Sequence, residues 1–386
     1  MEEFEQLYGQ RTASAAQPQQ RRCILHLGMH KTGTTMLQNT FSNYRDKNFR
    51  YLNLGHPNHS KLVGVGFQKV PYASHYSNPD QATWPAQKKK ARATFMSALN
   101  AADRSIIISG EEIARLSKKA DCEALVDAIG TRFDRIEMLT YIRDPAGFMR
   151  SSFQQIMKAR QVELDYAALF PKYFKHFRNW ELALERQPSP TFVLYDRNNF
   201  MHQDLARDFG WRIGLDDKRV KRLKKFAGLN ASLSAESLAV LYVYRQARGS
   251  VAPHERQMNS LLIRVMKDFG KNSYQLDPER IDALMKENSD EVNWIESKIN
   301  ARFAPQKPAD ITFTDGNSLY DYARQVGPEL AAYIRSLRFE PVNDGSDIPE
   351  LLDGLIKSLS FTAAVRSKLA PVKKLARPLI NLWRAK

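Results

Sequence analysis

The sequence predicts an α/β fold, a central parallel sheet flanked by helices, followed by a mostly helical C-terminal extension. Three apolar runs carry this expectation: Ile24–Leu27, Ile106–Ile108 and Ile136–Ile142. Each is short and mainly apolar, with His26, Glu137 and Thr140 as the polar interruptions, as strands buried on both faces are. Each ends in polar, glycine- or proline-bearing residues that lead toward a helical segment, the alternation that builds parallel sheets.

The chain has 386 residues, 43% of them hydrophobic, enough for a large core and one or two domains. Residues 1–20 are polar and predict a disordered leader. The first strand then enters Gly28-Met-His30-Lys31-Thr32-Gly33-Thr34-Thr35. Leu37 and Phe41 share one helical stripe, and Met36, Thr40 and Tyr44 share its neighbour, so a helix starts at the threonines. A strand, glycine loop and helix aim backbone N–H groups and a helix N-terminus at one point, which suits a phosphate. The ATP-binding loop G-x-x-x-x-G-K-[ST] has its lysine directly after the second glycine. Here Thr34 follows Gly33 and Lys31 precedes it, so the Walker A reading fails.

The loop instead resembles the 5′-phosphosulfate loop of the PAPS-dependent sulfotransferases, G-x-x-[KR]-[TS]-G-[TS]-[TS]. These use 3′-phosphoadenosine 5′-phosphosulfate (PAPS) as donor. The resemblance implies a P-loop-type three-layer fold over residues 21–235. It also implies donor contacts from Gly28, His30, Lys31, Thr32, Gly33, Thr34 and Thr35.

The turn Gly55-His56-Pro57-Asn58-His59 follows a short strand. Two histidines three apart form no complete metal site, and no metal is expected. His59 is a candidate general base, because imidazole titrates near neutrality, or a surface-loop histidine. Lys88-Lys89-Lys90 and Arg92 head a helix and read as a solvated face.

The isoleucine strand ends in Ser109-Gly110-Glu111-Glu112. Carboxyl ends of strands are where open α/β sheets bind ligands. Many bacterial sulfotransferase-like chains have Ser-Ser-Glu here, and glycine replaces the middle serine in this chain. By that resemblance Glu111 is the acceptor's base, with Glu112 and His59 as alternatives. Glu111 could equally be an acid favouring the positive end of a following helix.

The third strand ends in Arg143, and Asp144-Pro145 reads as a helix cap with proline at the first helical position. Met149, Phe153 and Ile156 predict the buried stripe of that helix. Ser151 lies eight residues beyond Arg143. The pair resembles the sulfotransferase 3′-phosphate site, where arginine's planar fork suits phosphate oxygens.

Tyr173, Phe177, Trp180 and Leu184 follow helical spacing and read as core. Thr191–Arg197 reads as another buried strand, with a short helix from about Gln203 to Phe209; Phe209-Gly210-Trp211 loosely matches the family's later motif. Lys221-Arg222-Leu-Lys224-Lys225 could serve as a basic loop over the nucleotide. Residues 236–355 predict a helical extension packed on the first domain. Residues 356–386, with no acidic residue after Asp353, read as a basic amphipathic tail, interrupted by Pro371 and Pro378, that suits anionic membrane or an acidic partner.

Net charge is +16, which favours anionic ligands. No nucleic-acid-binding signature accompanies it. The two cysteines, Cys23 and Cys122, give no disulfide framework and fit a reducing compartment. The acidic start lacks an apolar segment after it, which predicts no secretory signal, and no run reaches membrane-span length. The expectation is a cytoplasmic, bacterial-type sulfotransferase, possible contact with the inner membrane face coming through the tail. It would act without metal on a saccharide, glycolipid or small alcohol. The rival readings are a P-loop nucleotide-binding protein without transfer activity and an ATP-dependent kinase-like enzyme.

Overall fold

The computed structural model describes residues 21–29, 31–69, 82–116, 118–223, 232–337 and 346–360. The leader 1–20, His30, Lys224 and Lys225 of the basic loop, and the tail from 361 onward lie outside the described residues.

Five strands form one sheet: β1 (Arg22–Leu27), β2 (Phe49–Tyr51), β3 (Ser105–Gly110), β4 (Arg135–Ile142) and β5 (Thr191–Leu194). Their order is β2-β3-β1-β4-β5, and every neighbouring pair is parallel. β1 is central, with Leu25 opposite Ile108 on one side and Met138 on the other.

Alternating side chains feed two cores. Leu25, Leu27, Ile106, Ile108 and Met138 pack with the helices Ser60–Phe67, Trp84–Asn100, Lys119–Gly130 and Tyr173–Ala183. Ile24, Ile107, Leu139 and Tyr141 pack with Thr34–Phe41, Leu205–Arg212 and Asp217–Arg222. Burial on both faces explains why these strands read as mainly apolar runs rather than alternating ones. Each fully buried isoleucine or leucine contributes roughly 1.5–3 kcal/mol.

The first helix leaves β1 on one face, while the connections from β2, β3 and β4 run over the other. The direction of winding therefore reverses at β1, and in such sheets the crevice beside the reversal receives ligands.

The chain divides into two compact units that interleave along the sequence. The first comprises residues 1–148, 170–229 and 282–305; the second comprises 149–169, 230–281 and 306–386. The second unit holds the helices Ala235–Arg248, Arg256–Met266 and Gly316–Ser336, and residues 348–360 are helical as well. It also contains a parallel pair absent from the sequence reading, β6 (Tyr274–Leu276) with β7 (Ile311–Phe313). Ser234 and Asp315 cap its helices, accepting the N–H of Ser237 at 3.0 Å and of Ser318 at 2.9 Å.

In the Pro145–Met157 helix the buried stripe is Met149, Phe153 and Met157, while Ile156 is only half-buried. Among the described residues no helix is long and apolar enough to cross a membrane.

Candidate functional site

The glycine loop is shaped from both flanks of β1. The Gly28 N–H donates to the Gly110 carbonyl at 3.2 Å, and the Thr140 hydroxyl donates to the Leu27 carbonyl at 2.6 Å. A Cβ on Gly28 would stand 2.5 Å from the Thr34 hydroxyl, so the approach there requires glycine. Gly33, at φ 74°, caps the helix Thr34–Phe41, and its carbonyl accepts the N–H groups of Met36 and Leu37. The amides of Thr34 and Thr35 therefore open the helix ahead of its first intrahelical bonds.

Lys31 is also left-handed, at φ 69°. A side chain there costs roughly 1–2 kcal/mol. Arg143 Nη1 donates to the Lys31 carbonyl at 2.9 Å, so the residue after β4 holds this strained turn directly. Half-buried Lys31 has its pKa lowered, first by burial and then by Arg143, while Glu111 opposes both. The carboxyl ends of β1, β3 and β4 thus bring Lys31, Glu111 and Arg143 into one electrostatic neighbourhood.

The threonines divide by role. Thr32 is fully buried and its hydroxyl donates to the Met29 carbonyl at 2.7 Å. The Thr34 hydroxyl lies 3.5 Å from the same carbonyl, and Thr35 is exposed.

Glu111 follows β3 and precedes the short 3-10 helix Glu112–Arg115. Glu112 is buried, and its N–H donates to the Ser60 hydroxyl at 3.0 Å.

His59 is 1% exposed, in contrast to a surface-loop histidine. Its N–H donates to the Ser109 carbonyl at 3.0 Å, and its Nδ1 accepts the Ser109 N–H at 3.2 Å. The ring centroid lies 4.7 Å from that of Tyr51. Burial pushes the His59 pKa down to about 4. With Nδ1 filled by an amide, the proton of the neutral ring sits on Nε2, leaving no open basic nitrogen.

Arg143 is fixed at its backbone, where the Tyr173 hydroxyl donates to its carbonyl at 2.8 Å. Asp144 Oδ1 accepts the Gly147 N–H at 2.6 Å, forming the cap. Ser151 is half-buried two turns into the same helix, in residues belonging to the second unit.

Three residues at this edge were absent from the sequence-derived site. Tyr195 lies under the loop: a Cβ on Gly33 would meet its hydroxyl at 3.5 Å, and the Arg143 guanidinium stands 5.8 Å from its ring. Ser109 and His26 form a buried pair on β3 and β1, Oγ to Nδ1 2.8 Å. A histidine inside an apolar strand was the available signal for the latter. Among the described residues no group of three or more His, Cys, Asp or Glu has a metal-binding arrangement. No protein-family model matches the chain, and no curated protein matches its sequence.

Proposed function

We propose that this chain is a P-loop-type sulfotransferase that moves a sulfuryl group from PAPS to an acceptor hydroxyl or amine. The observation that carries the reading is the bond from Arg143 to the Lys31 carbonyl, which joins the two motifs suggestive of a doubly phosphorylated nucleotide.

In this reading the amides at the start of the Thr34–Phe41 helix receive the 5′-phosphate. Lys31 neutralises charge on the bridging and sulfuryl oxygens. Arg143 takes the 3′-phosphate, with Ser151 the residue that the family resemblance adds. Glu111 accepts the acceptor's proton as the new oxygen– or nitrogen–sulfur bond forms. The bond from sulfur to the 5′-phosphate oxygen breaks, and 3′,5′-ADP leaves. Fixed charges aimed at that oxygen supply most of the rate in such transfers. Glu111 is preferred as base over His59 because His59 Nδ1 is occupied by the Ser109 amide. A saccharide, glycolipid or small alcohol suits the acceptor role, and a cytoplasmic setting suits the donor.

The test is thermal stabilisation by 3′,5′-ADP against ATP with magnesium. The expected outcome is a response to 3′,5′-ADP that Arg143→Ala weakens about 10- to 100-fold, the worth of a charged hydrogen bond. A response confined to ATP with magnesium would replace this reading with a kinase-like one. Binding of 3′,5′-ADP without transfer of labelled sulfate would leave a nucleotide-binding protein. Loss of transfer in Glu111→Gln but not in His59→Ala assigns the base.

A further inference from the structure

Ser109 is a buried crossing point of hydrogen bonds two residues before Glu111. It faces His26 in the β1–β3 register. Its hydroxyl meets His26 Nδ1 at 2.8 Å. Its backbone is clasped by His59 through both the N–H and the carbonyl. Gln38 reaches the Ser109 carbonyl and hydroxyl, each at 3.5 Å. His26, Gln38, His59 and Ser109 are each at most 3% exposed.

The Tyr51 hydroxyl donates to the Pro57 carbonyl at 2.5 Å. Burial favours the neutral form of both histidines, and the Ser109 N–H on Nδ1 places the His59 proton on Nε2. Losing the His26–Ser109 hydrogen bond would leave further buried polar atoms unsatisfied, at about 1–3 kcal/mol. One step along, the Gly28 N–H grips the Gly110 carbonyl. The network therefore ties the strand that enters the lysine loop to the strand that delivers the carboxylate.

We propose that His26 and Ser109 are positioning residues that hold Glu111 in register with Lys31 by fixing the end of β3 against the end of β1. The base role of Glu111 rests on the sulfotransferase reading; its placement beside Lys31 does not. The charge of Glu111 acts on both His26 and Lys31, consistent with all three sharing one small region.

The test follows Lys31 by nuclear magnetic resonance in the full-length protein after reductive 13C-methylation, with its signal assigned by Lys31→Arg. Glu111→Gln is expected to lower the Lys31 titration midpoint, because the carboxylate favours the ammonium. Ser109→Ala should lower it too, and the double variant should go no lower than Glu111→Gln alone. His26→Leu should lower the midpoint, whereas His26→Asn, with an amide nitrogen in place of Nδ1, should keep it. A mere loss of stability would lower the melting temperature and leave these midpoints in place.

Wild-type midpoints in folded Ser109→Ala and His26→Leu overturn the proposal, as does an additive double variant. If Ser109→Ala does not fold, the His26 pair decides. Titration needs no sulfuryl transfer, so these shifts in a protein indifferent to 3′,5′-ADP would sink the enzyme reading alone. In active protein, Ser109→Ala should lose up to about 100-fold in kcat with 3′,5′-ADP binding unchanged, the scale of a small misplacement.

Discussion

At the amino ends of the strands, Glu137 lies between Arg22 and Arg135, at 2.6 and 2.5 Å. At the carboxyl ends, Glu111 and Arg143 act on Lys31 in opposite senses, the carboxylate raising its pKa and the guanidinium lowering it. The amino-end charges close into direct ion pairs around a carboxylate that is 1% exposed. The carboxyl-end arginine holds a backbone carbonyl, keeping a lysine in a conformation that side chains rarely adopt. One edge uses charge to join strands, and the other uses it to hold a shape. Strain kept in place by surrounding contacts is a mark of a working site.

The largest expected effect breaks the stabilising edge. Glu137→Ala leaves the mostly buried Arg22 without its carboxylate, and should cost about 3–5 kcal/mol in denaturant unfolding. The stabilisation gained from 3′,5′-ADP should survive. Its loss in this variant would show that the two edges are not separable.

The next effect belongs to the carboxyl edge. Burial lowers the pKa of His26 and of His59 from 6.5 to about 4. Between those values the unfolded chain binds more protons, so stability is full above about pH 6.5 and falls as pH drops toward 4. Each histidine should contribute roughly 3 kcal/mol to that fall. Urea unfolding at pH 7 and pH 4.5 measures it, and His59→Gln should remove one share. A profile unaltered by that substitution would move the acid sensitivity elsewhere.

The smallest effect sharpens the contrast. Lys31→Gly relieves the left-handed backbone and should raise stability by about 1 kcal/mol while removing the response to 3′,5′-ADP. A fall in melting temperature would mean that the lysine side chain stabilises the loop more than its backbone strains it.

The sheet was legible because burial on both faces leaves continuous apolar runs such as Ile106–Ile108, a pattern independent of distant contacts. The Asp144-Pro145 cap was legible for a similar reason, since its hydrogen bond to Gly147 is local. β6 and β7 are three residues each, too short for periodicity to appear. His59 looked like a turn residue because its neighbours Pro57 and Asn58 are turn formers, while its burial depends on Tyr51 and Ser109. Nothing in Met-His-Lys-Thr marks Lys31 as left-handed; the signal lies in a bond from Arg143, just beyond β4. Motif resemblance singled out Lys31, Glu111 and Arg143 one at a time, and the sheet order brings their strand ends together.

The Arg143–Lys31 bond spans 112 residues of sequence. The loop's grip on Gly110 likewise waits for β3. As synthesis proceeds from the N-terminus, residues 28–33 emerge long before either clasp exists. Pairings this distant are slow to form because chain closure must precede the reward. The loop should therefore mature late in folding, after the strands on both sides of β1 have docked. A nascent chain halted before Arg143 would carry the whole glycine motif without the bond that shapes it.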